Sequence, residues 1–154
     1  MPTDEGKRNE MIRALESVIN VLIDGQKGFA DLGEHVENPM LKKCFLGESL
    51  TRARFRGDLE EILHQAGVHD VKESGSTIGA LHRAWGDLKA RFGTSDHSLL
   101  ETAEQGEDEA KKAYADALEQ DLPLPVRQVL AGQQEHILQI HDTVRNYRNT
   151  LATK

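Results

Sequence analysis

Apolar residues recur every three to four positions along almost the whole chain, and no segment sustains a two-residue alternation of β-branched and aromatic side chains. A chain patterned in this way buries its apolar surface only by packing helix on helix, so the fold class is all-α. The period is broken at three places: Glu37-Asn38-Pro39, residues 67–95, and Asp121-Leu-Pro-Leu-Pro125. The first helix is predicted over about residues 8–36, with Met11, Leu15, Val18, Leu22, Phe29, Leu32 and Val36 on its seam. Gly25, Gly28 and Gly33 interrupt it. Interior glycines each cost a helix about 1 kcal/mol, so three of them point to a close helix contact, a kink or a cavity.

Asn38 is a good N-cap and Pro39 a good first helical residue, so a second helix is predicted from there to Ala66, with Gly67 as its terminator. Its seam carries Leu41, Phe45, Phe55, Leu59 and Ile62, but also Glu48 and Arg52. A shorter helix is predicted after the turn signal Glu73–Thr77, with Ile78, Leu81, Trp85, Leu88 and Phe92 on one face. Ser95 then offers a cap for a helix over Asp96–Gln120, and the last helix covers about 126–151. The first two and the last two long helices form hairpins. The segment 67–95 is long enough to return the chain along the bundle and to set the second helix parallel to the next long one. A four-helix bundle with one long crossover is the ferritin-like arrangement, here with a fifth, shorter helix in the crossover. The whole reads as one domain over 8–151, with 1–7 and 152–154 frayed.

Composition excludes several classes of function. The 154 residues carry 26 Asp plus Glu against 19 Lys plus Arg, a net charge of −7, which disfavours general nucleic-acid binding. One cysteine excludes a disulfide framework and a multi-cysteine zinc site. No stretch approaches the roughly 20 apolar residues of a membrane span, and the polar start has no signal-peptide apolar region, so a cytoplasmic protein is expected. There is no phosphate loop, nucleophile elbow or Ser-His-Asp pattern, and no catalytic residue is assigned.

A ferritin-like bundle raises the question of a di-iron carboxylate centre, which takes a Glu from each of two helices and a Glu-x-x-His from each of the other two. The last helix has no Glu-x-x-His. The second has Glu61-Ile-Leu-His64, off the seam and near the helix end, where a solvated pair is expected. The polar residues nearest the helix midpoints are Asn20, Asp24, Glu48, Arg52, Glu104, Glu107, Gln133, His136 and His141. In one reading Glu48, Glu104, Glu107 and His141 bind iron or manganese, because carboxylate and imidazole suit such ions. In the other, Arg52 neutralises the carboxylates in a buried ion-pair network, since a guanidinium keeps its charge and repels a cation. The second is favoured, so no cofactor is expected, with iron or manganese as the alternative. Tyr114 is expected in the core with a bonded hydroxyl, and Cys44 as a small buried hydrophobe.

Asp24-Gly-Gln-Lys-Gly-Phe29, Glu73-Ser-Gly-Ser76, Gly79-Ala-Leu-His-Arg-Ala-Trp85, Glu104-Gln-Gly-Glu-Asp108 with Tyr114, Leu122-Pro123, Val126-Arg127 and His141-Asp-Thr-Val-Arg145 occur in this order. Together, from about residue 10 to 148, they resemble a mainly proteobacterial family of ferritin-like four-helix-bundle proteins of unknown function. The resemblance implies a fold and no reaction. It implies relatives with a Glu near positions 20 and 47, where this chain has Asn20 and Gly47, which weakens the metal reading. It also marks Asp24, His82, Arg83, Trp85, Glu104, Glu107, Asp108, Tyr114, His141 and Asp142, beside Arg52, as a candidate shared site.

The function expected is therefore a non-catalytic, stress-related bundle acting through assembly or a protein partner. A homodimer through a helical face is the simplest assembly, with Leu46 and Leu50 off the seam of the second helix. The alternatives are a metal-dependent oxidoreductase or metal store with a degenerate carboxylate/His site, and a small-ligand pocket near Gly25 and Gly28.

Overall fold

Among the described residues, the breaks in the sequence pattern become the ends of four α-helices: α1 (Asp4–His35), α2 (Pro39–Gln65), α3 (Asp96–Leu118) and α4 (Leu124–Ala152). The structure, a computed structural model, describes residues 4–71, 85–86 and 88–152, and no strand occurs among them. Side-chain chemistry fixes the helix ends. Asn38 accepts hydrogen bonds from the backbone N–H groups of Met40 and Leu41, with Pro39 in the first turn. Ser95 accepts from Ser98 N at 3.2 Å. Gly67, at φ +89°, closes α2: Val68 N donates to Leu63 O and Gly67 N to His64 O. That pair of bonds with a left-handed glycine is the Schellman motif.

Contacts between the ends give the topology. Asp96, at the start of α3, accepts from Glu37 N at 2.8 Å and Asn38 N at 3.0 Å, which puts it beside the α1–α2 turn. At the other end, Lys7 pairs with Asp121 at 3.2 Å, and Arg8 donates to the carbonyl of Ala66. Helix α1 therefore runs antiparallel to both α2 and α3 and packs against both. Helix α4 packs antiparallel on α3 and also meets α2, where the His136 ring stands edge-on to Phe55 with centroids 5.3 Å apart. Helices α2 and α3 are thus parallel and diagonal. The connection between them joins opposite ends of a bundle roughly 40 Å long, at 1.5 Å per residue over the 27 residues of α2.

Four boundaries differ from the sequence reading; one is the start of α4, at Leu124 instead of about 126, with Pro125 in its first turn. Helix α1 starts at Asp4, not near residue 8, because Asp4 and Glu5 suit the positive end of the helix and Lys7 is held by Asp121. Helix α3 ends at Leu118, two residues early. Arg127 donates to the carbonyls of Leu118 and Gln120 there and stabilises the end. Of the short helix expected over 78–92, residues 78–84 and 87 lie outside the described residues. Its last part is a 3₁₀ turn at Lys89–Arg91, preceded by the bond Leu88 N→Trp85 O. Bonds of this spacing stack residues i and i+3, which brings Trp85 and Leu88 onto one side against the core.

Apolar side chains form two clusters. One contains Leu15, Ile19, Leu22, Leu59, Leu63, Leu130 and Ile137, and the other Phe29, Leu32, Leu41, Phe45, Leu99, Leu100 and Val144. Each fully buried side chain of this kind contributes about 1.5–3 kcal/mol. Between the two clusters lies a polar layer.

Candidate functional site

The polar layer is built on Arg52, whose side chain is completely buried. Helical spacing places it one turn after Glu48, and its Nε donates to Glu48 Oε2 at 2.6 Å. Its Nη2 crosses the bundle diagonal to Glu107 Oε2 on α3, at 2.7 Å. Two features of α1 make room for the guanidinium. Gly25 lies beside it, where a Cβ would come within 3.2 Å of Nη1, and the Phe29 ring lies 4.9 Å from Cζ. On the far side, Glu48 Oε1 meets His136 Nε2 of α4 at 2.7 Å. Arg52 thus links all four helices. Tyr114 is buried close by and donates to Gln133 Oε1 at 2.8 Å, while Gln133 donates to the Phe55 carbonyl.

Two carboxylates share one guanidinium, so the dry layer carries an excess of negative charge unless a proton is held. Burial pushes the Glu107 carboxyl above its usual range, and the attraction of Arg52 only partly opposes this. The surplus falls on Glu107 because Glu48 has His136 as a second partner, whereas Glu107 Oε1 has none among the described residues. Burial alone would favour loss of the Arg52 proton, but Glu107 and Glu48 overcome it and hold the guanidinium charged. Burial also raises the Tyr114 phenol, and burial followed by the field of Glu48 raises the half-buried Cys44 thiol.

The other candidate residues make contacts outside the Arg52 ion pairs, with Asp108 and Asp142 both beside His141, at 2.7 Å and 3.6 Å. Glu104 pairs with Arg148, and His141 Nε2 meets Asp108 Oδ1 at 2.7 Å. Asp142 pairs with Arg145 at 2.9 Å. Of the four candidate metal ligands, then, Glu48 and Glu107 are bound to Arg52, Glu104 to Arg148 and His141 to Asp108. Among the described residues, no three or more His, Cys, Asp or Glu side chains are grouped so that they could hold a metal ion.

The inward sides of Gly25 and Gly28 are filled by the protein itself, while Gly28 also lines an open cleft on the surface. Arg52 takes the first position. Trp85 takes the second, its ring set between α1 and α3 where a Cβ on Gly28 or Gly106 would lie within 2.5 Å and 2.1 Å of the indole. Asp24 and Trp85 flank an open cleft of about 310 Å³ with Lys27, Asp31 and Lys89. His82 and Arg83 lie outside the described residues. Sequence reasoning missed Gly106 and Arg148. For Gly106 the usable signal was a glycine inside the helical run Glu104–Asp108. For Arg148 no signal within its own helix pointed to Glu104.

The model of a protein family, described as a domain of unknown function (DUF2383), matches residues 10–120. The chain belongs to this family. The DUF2383 match contains α1 from residue 10 on, α2, α3, Arg52 with both its carboxylates, and the Gly28–Trp85–Gly106 contact. It stops before α4, which supplies His136 and His141. No curated protein matches the chain. Among the described residues, no helix is long and apolar enough to cross a membrane.

Proposed function

We propose that this chain is a ferritin-like bundle whose central layer is a structural ion network, and that it acts without catalysis by associating with a second copy of itself. The parallel, diagonal placement of α2 and α3, joined end to opposite end, supports the ferritin-like reading. The observation that carries the rest is Arg52. A di-metal carboxylate centre needs the space between inward Glu side chains for cations, and here a guanidinium bonded to Glu48 and Glu107 fills it. The donor set therefore does not fit such a centre. Association is supported by α2, where Leu50 is 74% exposed and Met40 71%, both off the buried seam; Leu46, 42% exposed, packs partly against Gly33 of α1.

Two measurements test this reading. Light scattering on the eluting protein is expected to give a dimer, and Leu50→Glu, at an exposed side chain off the seam, is expected to give a monomer of unchanged helicity. The metal content of tag-free protein, before and after anaerobic ferrous iron, is expected to show none held by the central layer. Stoichiometric iron or manganese in the wild type that is lost in Glu48→Gln would overturn the ion-network reading.

A further inference from the structure

Helix α2 carries a second pattern on the side turned away from the bundle. Lys43, Gly47, Leu50, Arg54, Gly57 and Glu61 recur once per helical turn, and all six are exposed. Phe45, Arg52 and Leu59 lie on the opposite, buried side. The outer stripe is about 27 Å long at 1.5 Å per residue. Glycine weakens a helix interior, and here no contact among the described residues requires it: nothing lies within 4 Å of where a Cβ would stand on Gly47 or Gly57. A glycine on an open helix face lets a second backbone come close. Glu61 accepts one bond from Gln65 Nε2 at 3.2 Å, and a carboxylate has lone pairs for more.

This stripe complements itself when reversed. Its middle falls at the level of residue 52, and outward from there Leu50 answers to Arg54, Gly47 to Gly57 and Lys43 to Glu61. Two copies of α2 laid antiparallel about a two-fold axis at that level therefore set Lys43 against the partner's Glu61 at both ends, and glycine against glycine inside them. Beside the axis the two Leu50 side chains stand about 6 Å apart along the helix direction, each also under the aliphatic stem of the partner's Arg54. A parallel pair would instead set Lys43 against Lys43, Arg54 against Arg54 and Glu61 against Glu61, like charges at each of these levels. Charge thus selects the antiparallel orientation, the leucines supply apolar contact, and the glycines allow a helix separation at the short end of the usual range.

We propose that two copies of the chain associate through the outer face of α2, antiparallel about a two-fold axis at the level of Arg52, with Lys43 and Glu61 forming two reciprocal intermolecular ion pairs. This rests on the reading of the chain as a self-associating bundle, and adds to it the face, the orientation and the register. Sedimentation equilibrium of the full chain at low salt tests it, on the wild type, Lys43→Glu, Glu61→Lys and the two changes combined. Each single change brings like charges together twice per dimer and is expected to raise the dimer Kd by about tenfold or more. The combined variant exchanges the two signs and is expected to return to within about threefold of the wild type, as reciprocal pairing requires. Added salt should weaken the wild-type and combined-variant dimers alike. Both side chains are exposed, so the variants are expected to keep the circular dichroism of the wild type. A dimer that neither single change weakens would overturn this register and leave the self-association standing. A combined variant no tighter than the single ones would do the same. A wild type that stays monomeric at every concentration would overturn both.

Discussion

Arg52 shows how a single residue can determine what a bundle core is able to do. A fully buried guanidinium is tolerable only because Glu48 and Glu107 take two of its donors and Phe29 covers its face. Removing one partner leaves the other charge buried without compensation. Glu107→Ala is therefore expected to cost about 3–5 kcal/mol in chemical denaturation, and Glu107→Gln less, since the amide oxygen still accepts from Nη2. A loss below about 0.5 kcal/mol for the alanine variant would mean that Glu107 behaves as a surface residue. The network as a whole is a different matter, because burying three charges costs several kcal/mol each before their attraction offsets it. The combined change Glu48→Leu/Arg52→Met/Glu107→Leu is expected to be more stable than Glu107→Ala. If the triple variant is the less stable of the two, the layer contributes stability outright and does more than hold the helices in register.

At the scale of elements, the contact that joins the crossover to the bundle is Trp85 lying over Gly28 of α1 and Gly106 of α3. A methyl group at either glycine collides with the ring, and overpacking of this kind costs about 1–3 kcal/mol. Gly106→Ala is expected to show that loss together with a red shift of tryptophan fluorescence, as the only indole is driven toward water. An unshifted spectrum would show that Trp85 does not sit in this groove. The helices and their caps were legible because each signal is local: the 3.6-residue period, Asn38 before Pro39, Ser95, and Gly67. Arg52 was legible for a similar reason, since a charge on an apolar seam must find a partner. The pairs Glu48–His136 and Glu104–Arg148 were not. They depend on how α4 is rotated against α2 and α3, and spacing along a single helix carries no such information. The 3₁₀ turn at Lys89–Arg91 was hidden because Trp85 and Leu88, three residues apart, share one side in an α-helix and in a tighter turn alike.

For the whole molecule, the charge held in the central layer couples stability to pH. The Glu107 carboxyl is raised above its usual range, first by burial, so the folded chain holds a proton there that the unfolded chain releases at about pH 4.3. The folded state therefore binds more protons than the unfolded one between that pH and the raised folded value. Stability from this group is complete below the window and declines as pH rises through it. Other carboxylates and histidines titrate across the same range, so the informative quantity is the difference between wild type and Glu107→Gln, in which this proton is absent. Urea denaturation of both proteins at intervals from about pH 4.5 to 8 is expected to show the wild type gaining on the variant as the solution is acidified. A constant difference across that range would mean that Glu107 titrates alike in the folded and unfolded chain. The attraction of Arg52 would then offset the burial of Glu107 in full, and Glu107 would hold no extra proton in the folded chain.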